Sequence, residues 1–140
     1  MSVAEISVII PAYNAEPYIK ECLDSVVRQV DVNKEVICID DGSMDGTLSI
    51  LLEYERHYAW LHVYHQENQG PGPSRNAGLS LATGRYVAFL DADDWYFDAQ
   101  ALETLVREAD AHGTRACAGL RQICEQGELR EHSLFRDPEK

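Results

Sequence analysis

The sequence predicts an α/β domain with a mostly parallel central sheet and helices on both faces. Two short apolar runs rich in β-branched residues, Glu5–Ile10 and Glu35–Ile39, are typical of strands buried on both faces of a parallel sheet. Each run is followed by apolar residues at helical spacing, which predicts a helix after each strand. This β-α-β-α alternation favours parallel pairing through right-handed crossovers.

The first half of the chain predicts two strand-helix units. The first strand, Glu5–Ile10, is expected to stop at Pro11, and Asn14 is expected to cap the following helix. The apolar face of that helix consists of Ile19, Cys22, Leu23, Val26, Val27 and Val30. The second strand runs into an acidic loop, and the second helix is expected to begin near Asp45 or Gly46.

The second half of the chain predicts two more strands and two more helices. Leu61–His65 is the third strand, and Gln66–Pro73 is a loop, because two glycines and two prolines are expected to preclude a regular element there. A short helix follows at about Ser74–Ala82, and the fourth strand is Tyr86–Leu90. Asp98 is then expected to cap a helix that a glycine closes.

The end of the chain carries a weaker pattern. Arg115–Cys124 is compatible with a further strand, and Gly127 with the turn of a hairpin, whereas the segment after residue 124 is rich in charge. We therefore predict one domain over residues 1–124 and a separate charged segment over residues 125–140.

The composition excludes several classes of protein. Lys and Arg number 12 and Asp and Glu 24, and the net charge of −12 argues against broad binding to nucleic acid. The start of the chain lacks the basic leader of a signal peptide, and no apolar run reaches the roughly 18 residues that span a bilayer. The four cysteines contain no C-x-x-C pair, and we expect reduced core thiols. We expect a cytoplasmic protein, with peripheral membrane contact through a missing segment left open.

Polar residues follow three of the predicted strands at their carboxyl ends, where open α/β sheets bind their ligands. Asn14 follows the first strand, Asp40 and Asp41 the second, and an acidic run that begins at Asp91 and contains Asp93 follows the fourth. Because carboxylates that converge repel each other, a divalent cation is the simplest neutraliser. Ligands that are all oxygen favour Mg²⁺ or Mn²⁺ over zinc. The alternative is that these aspartates serve only as helix caps.

Several other residues have two interpretations each. The glycine-rich stretch before the third helix could offer free N–H groups to a phosphate. Arg75 suits a diphosphate contact or an exposed surface position equally well. Tyr13 either stacks on a nucleobase or fills the first turn. His62 and His65 lie an odd number of residues apart, so a strand would point them to opposite faces, and we do not expect them to share a metal.

Six stretches of the sequence stand together in an order and spacing that is more specific than any single motif. They are Val8–Asn14, Glu35–Thr47, Asn68–Gly70, Ser74–Gly78, Ala82–Tyr86 and Phe89–Asp94. In these stretches, which cover roughly residues 5–95, the chain resembles the family 2 glycosyltransferases. The resemblance implies a Rossmann-like GT-A nucleotide-binding domain, with Asp91-Ala92-Asp93 as its DXD motif.

The resemblance also implies a nucleoside-diphosphate sugar donor and a divalent metal, Mn²⁺ or Mg²⁺. Pro11 and Tyr13 would line the base pocket, Asp40 or Asp41 would bind the base, and Arg75 would lie near the sugar or the phosphates. Asp91 would face the ribose or the sugar. The implied nucleotide-sugar-binding residues are therefore Pro11, Tyr13, Asn14, Asp40, Asp41, Arg75, Asp91 and Ala92, and the implied metal ligand is Asp93.

In the family, an Asp or Glu from the later half removes the proton of the acceptor hydroxyl. No residue of 125–140 matches that base, so it is expected beyond Lys140, and residues 125–140 would be a charged tail or the truncated start of the acceptor-side region. We therefore expect the donor-binding half of an inverting, metal-dependent glycosyltransferase with a glycan or lipid-linked acceptor, placed in the cytoplasm or at the inner face of the membrane. The alternative is a non-catalytic nucleotide-sugar-binding fragment or sensor.

A third class, the phospho-acceptor signalling domains, also gathers aspartates above a parallel sheet. Such a domain would place its acidic pair after the first strand, where this chain has Pro11-Ala12-Tyr13-Asn14. The order of elements therefore disfavours this class.

Overall fold

The computed structural model describes residues 3–113, 120–125 and 128–133. In chain order the elements are β1 (Ile6–Ala12), α1 (Ile19–Val27), β2 (Lys34–Asp41), α2 (Thr47–His57), β3 (Leu61–Gln66), α3 (Pro71–Leu81), β4 (Tyr86–Phe89), α4 (Ala101–His112), β5 (Leu120–Glu125) and β6 (Glu128–Ser133). The alternation of strands and helices up to α4 is the one that the sequence predicts.

Four strands form one sheet in the order β3-β2-β1-β4, and all of its pairings are parallel. The two central strands are buried along nearly their whole length, which agrees with their continuous apolar sequences. The predicted α/β fold with a parallel central sheet is confirmed. The carboxyl ends of all four strands consequently lie along one edge of the sheet.

Helices cover both faces of the sheet, as predicted. On one face, alternate strand residues such as Val8 and Cys38 belong to a core cluster that includes side chains of α1, α2 and α4. On the opposite face α3 packs so closely that a Cβ added to Gly78 would lie 2.4 Å from Ile9 Cγ2. This glycine lets α3 approach the centre of the sheet.

The predicted end of the first strand at Pro11 is wrong, because β1 continues to Ala12. The carbonyl of Ile9 accepts a hydrogen bond from the N–H of Leu90, the residue that follows β4, at 3.0 Å. Residues two apart in a strand direct their backbone groups to the same side, so Pro11 also faces β4, which ends at Phe89. A missing N–H therefore costs no ladder bond at Pro11.

The predicted loop over Gln66–Pro73 is wrong at its end, because α3 begins at Pro71. The N–H groups of the first three helical residues have no partner within a helix, and the first such bond here runs from Ser74 N to Gly70 O at 3.2 Å. Proline at positions 71 and 73 therefore leaves every helical hydrogen bond intact.

The caps predicted for two helices are also corrected. α1 begins at Ile19, well after Asn14, whose side chain is used elsewhere. At α4 the Asp98 carboxylate accepts from Gln100 N, while the buried Gln29 side chain accepts from Leu102 N in the first helical turn, at 2.9 Å. The cap of α4 is therefore supplied by a residue about 70 positions away, which local sequence does not indicate.

β5 and β6 form a separate antiparallel pair in which Glu125 lies opposite Glu128. The turn predicted at Gly127 lies outside the described residues, and a chain boundary at residue 124 stays a prediction. Cys22 and Cys38 are buried free thiols, and burial raises the pKa of both. Cys117 and the side chain of Cys124 lie outside the described part. No helix in the described ranges has the length and apolar character needed to cross a membrane.

Candidate functional site

A cleft of about 570 Å³ opens at the carboxyl edge of the sheet. The end of β2 and the loops that follow β1, β3 and β4 all reach it, because parallel strands end at the same edge. Its lining consists of Pro11, Ala12, Tyr13, Asn14, Ala15, Tyr18, Asp41, Asn68, Gly70, Pro71, Ser74, Arg75, Asp91, Ala92 and Asp93. The convergence of the predicted polar residues at one rim is thus observed for most of them.

Asp41, at the end of β2, is buried and accepts three hydrogen bonds from the last residue of β3 and the loop that follows it. Its Oδ1 accepts from Gln66 Nε2 at 2.9 Å and from Gln69 N at 2.8 Å, and its Oδ2 accepts from Gly70 N at 2.9 Å. Burial raises the pKa of this carboxyl, but the donated hydrogen bonds outweigh burial, and the pKa lies below its ordinary value. The charged carboxylate thereby fixes the loop that leads into α3.

The same contacts bear on the possibility that the glycine-rich stretch offers its N–H groups to phosphate. Those of Gln69 and Gly70 already donate to Asp41. Two of the first three positions of α3 are prolines, which have no N–H. The carboxylate of Asp41 therefore takes up two of the N–H groups immediately before the helix, and phosphate binding by this stretch stays a prediction.

Gly42 allows the loops after β2 and β3 to touch. Its φ of 75° lies in the left-handed region, and an added Cβ would lie 2.8 Å from the backbone N of Asn68. The Asn68 side chain donates in turn to Asp41 O at 3.1 Å. A side chain at position 42 would therefore be strained and would push the two loops apart.

Asn14 joins the loop after β1 to the loop after β2. Its backbone N–H donates to Ser43 Oγ at 3.0 Å, and its Oδ1 accepts from Met44 N at 2.8 Å. Asn14 has a positive φ of 47°, which asparagine tolerates better than most residues. The next residue, Ala15, donates its N–H to Thr47 Oγ1 at the start of α2. These bonds hold the exposed Tyr13 on the wall of the cleft.

The acidic turn after β4 also lines the cleft. Asp94 N donates to Asp91 O at 2.9 Å, which closes the turn, and the buried Ala92 anchors it. Asp91, Asp93 and Asp94 each present a carboxylate oxygen, and these oxygens lie within 4.8 Å of one another. Three carboxylates this close form an all-oxygen donor set of the kind that Mg²⁺ or Mn²⁺ accepts. The residues present therefore fit a divalent cation.

Arg75, one turn into α3, reaches across to this turn. Its Nη2 donates to Asp91 Oδ1 at 3.0 Å, and both side chains remain partly open to solvent. Arg75 therefore lines the cleft with a partly exposed side chain, and its contact with a diphosphate stays a prediction.

Asp40 lies outside the cleft, because neighbouring residues of a strand point to opposite faces. It is fully buried and pairs through Oδ2 with Nδ1 of the half-exposed His65 at 2.7 Å. Within the described ranges its Oδ1 has no hydrogen-bond partner. Of the predicted pair Asp40 and Asp41, the one that lines the cleft is Asp41, and a role of either in binding a base stays a prediction.

Sequence reasoning missed Tyr18, Asn68 and Ser74, which line the cleft. It also missed the pairing of His65 with Asp40 outside the cleft, because these residues lie opposite each other only through the register of β2 and β3. Asn68 stands in one of the stretches that carry the family resemblance, so the sequence did contain a signal for it. Tyr18, which immediately precedes α1, lies in none of these stretches.

The open parallel sheet with a cleft between two acidic loops defines the class of α/β proteins that bind ligands at the carboxyl ends of their strands. The chain belongs to glycosyl transferase family 2, whose family model matches residues 7–137. It is 42% identical over 102 residues to the poly(ribitol-phosphate) beta-glucosyltransferase of Bacillus spizizenii, which covers 70% of this chain and 16% of that protein.

Two solved structures resemble the fold closely. S. aureus TarS in complex with UDP has a TM-score of 0.72 at 37% identity, covering 78% of this chain and 33% of that one. The mannosyltransferase PcManGT of Pyrobaculum calidifontis, in complex with GDP-Man and Mn²⁺, has a TM-score of 0.71 at 29% identity, with coverage of 78% and 33%. Three further bacterial glycosyltransferases are matched over 30%, 33% and 32% of their own lengths, so the chain spans about a third of these relatives.

Proposed function

We propose that this chain is the donor-binding portion of a glycosyltransferase that transfers a sugar from a nucleoside-diphosphate sugar to an acceptor. The observation that carries the proposal is that Tyr13, Asp41, Arg75 and the Asp91–Asp93 turn all line one cleft. Tyr13 and Asp41 suit a nucleobase, and the acidic turn with Arg75 suits a metal-bound diphosphate. The structures of TarS with UDP and of PcManGT with GDP-Man and Mn²⁺ support a site for a nucleotide and a divalent metal.

At the base end, we assign the nucleobase contacts to Pro11, Tyr13 and Asp41. Tyr13 is half-exposed at the cleft wall, so its ring is free to stack on a base. A carboxylate has about four acceptor positions, and three donors, from Gln66, Gln69 and Gly70, bind Asp41. The remaining acceptor capacity suits a base with a ring N–H group, such as uracil or guanine.

At the diphosphate end, we assign Asp93, assisted by Asp91, to a divalent cation, and Arg75 to the phosphates or the sugar. A cation bound there would offset the negative charge that develops on the leaving diphosphate. The guanidinium of Arg75 matches phosphate oxygens through its fork of N–H groups. Asn14 and Ala92 would act by holding in place the loops after β1 and β4 that line the cleft. No described residue is assigned as the general base, and inversion at the sugar stays a prediction.

The proposal is tested by thermal unfolding and calorimetry of the chain with UDP and GDP, each with and without Mn²⁺ or Mg²⁺. A ligand that binds the native state raises its stability, so we expect a rise in melting temperature that requires both the nucleotide and the metal. The absence of metal-dependent binding to either nucleotide would refute the proposal. Transfer from UDP-sugars or GDP-sugars to a glycan or lipid-linked acceptor then separates an active enzyme from the alternative, a nucleotide-sugar-binding fragment without turnover.

A further inference from the structure

The contact between Arg75 and Asp91 joins the two elements that frame the diphosphate end of the cleft. Arg75 lies on α3 and Asp91 in the turn after β4, and their Nη2 and Oδ1 atoms are 3.0 Å apart. The side chains keep 39% and 51% of their surface exposed, so the pair is open to solvent and to competitors. Exposed pairs of this kind contribute little to stability and exchange readily for other partners.

The same Asp91 carboxylate belongs to the group of three whose oxygens lie within 4.8 Å of one another. The guanidinium of Arg75 places a positive charge beside the atoms that would receive a dication. Like charges a few ångström apart repel each other. A cation that enters alone must therefore share Asp91 with Arg75 or displace it.

We propose that Arg75 is a counter-ion that Asp91 holds until a nucleoside diphosphate arrives, and that Arg75 then moves to the phosphates. The inference rests on the proposed function, since it takes the same cleft as the donor site. Arg75 would oppose the cation alone and favour the cation together with the diphosphate. It would thus make the binding of the two ligands mutually dependent.

This exchange predicts an effect on Mn²⁺ alone that a simple phosphate contact does not. For any two linked ligands, the factor by which Mn²⁺ raises the affinity for UDP equals the factor by which UDP raises the affinity for Mn²⁺. Loss of Arg75 should increase the affinity for Mn²⁺ alone and decrease the affinity for UDP with Mn²⁺ present. Both changes lower the factor by which each ligand raises the affinity for the other.

The test is calorimetric titration of the chain with Mn²⁺ alone and with UDP or GDP at saturating Mn²⁺. For Arg75→Gln we expect affinity for Mn²⁺ to rise roughly threefold to tenfold and affinity for the nucleotide to fall roughly tenfold. Arg85→Gln is the matched control, because it breaks the Arg85–Asp110 pair, also 3.0 Å long, and changes the net charge by the same amount. Arg85 does not line the cleft, so both affinities should stay within about twofold of the unmodified chain.

Arg75→Lys separates charge from shape. Lysine keeps the positive charge but lacks the planar fork, so affinity for Mn²⁺ should stay near that of the unmodified chain while nucleotide affinity falls. This variant also serves if Arg75→Gln fails to fold. Nucleotide affinity equal to that of the unmodified chain in Arg75→Lys would overturn the assigned move of the guanidinium to the phosphates.

The outcomes distinguish the inference from the function on which it rests. If the unmodified chain binds no nucleotide with Mn²⁺, the proposed function fails. If the unmodified chain binds both but Arg75→Gln leaves affinity for Mn²⁺ unchanged or lowers it, the counter-ion role is wrong and the donor site stands. Equal shifts in Arg75→Gln and Arg85→Gln would reduce the effect to net charge and would also overturn the inference.

Discussion

The two acidic loops at the rim of the sheet have similar sequences and opposite surroundings. At the end of β2, Asp41 is buried and accepts three hydrogen bonds from the last residue of β3 and the loop after it. In the turn after β4, Asp91 and Asp93 are exposed and stand close to another carboxylate. The comparison teaches that a carboxylate can build a site or remain available to a ligand, and that the number of donors around it decides which.

The largest expected effect concerns the exposed loop. Asp93→Asn should weaken Mn²⁺-dependent binding of UDP or GDP by about 100-fold, since even an outer-shell change at a metal site costs about 10- to 100-fold. Calorimetry with and without Mn²⁺ measures it. The control is Asp31→Asn, which makes the same charge change in a loop before β2, at a positive φ of 59° that asparagine also adopts. Equal nucleotide affinity in the two variants would show that the exposed loop holds no cation.

The next effect concerns stability and should appear in the other loop. Asp41→Ala removes the acceptor of three donors and should lower the free energy of unfolding by about 3 kcal/mol. Asp93→Ala should change it by less than about 0.5 kcal/mol, because exposed side chains without such contacts contribute little. Urea unfolding of both variants measures the difference. Similar losses in the two variants would break the comparison.

Much of this contrast lay beyond the reach of the sequence. The two central strands were predictable because their apolar runs are nearly continuous, and the Asp91-Ala92-Asp93 turn because its aspartates lie close together in the chain. The partners of Asp41 were not, because they come from residues 25 to 29 positions away and depend on the sheet order. The residue type alone likewise does not distinguish Asp40, which pairs with His65 on the other face of the sheet, from Asp41, which lines the cleft.

The start of α3 is a second feature that the sequence alone did not predict, and here the reason lies in backbone hydrogen bonding. Two prolines and two glycines within Gln66–Pro73 indicated a loop, yet Pro71 and Pro73 occupy positions where a helix uses no N–H group. The composition of the segment was therefore compatible with both structures. What selected the helix was tertiary contact, since Asp41 fixes Gln69 and Gly70 immediately before it.

The smallest effect sharpens the comparison through pH. Because the pKa of Asp41 is lowered in the folded chain, its charged form stabilises the fold above the ordinary carboxyl pKa of about 3.9, and this contribution is lost as pH falls through the folded pKa. Asp41→Asn lacks the titration, so its deficit in the free energy of unfolding should be constant from pH 7 to 5 and shrink below about pH 4. The buried Ile37→Val supplies the control, since the roughly 1 kcal/mol it loses involves no titrating group and should not vary with pH. A deficit for Asp41→Asn that stayed as constant as that of Ile37→Val would mean that the hydrogen bonds of Asp41 do not depend on its charge.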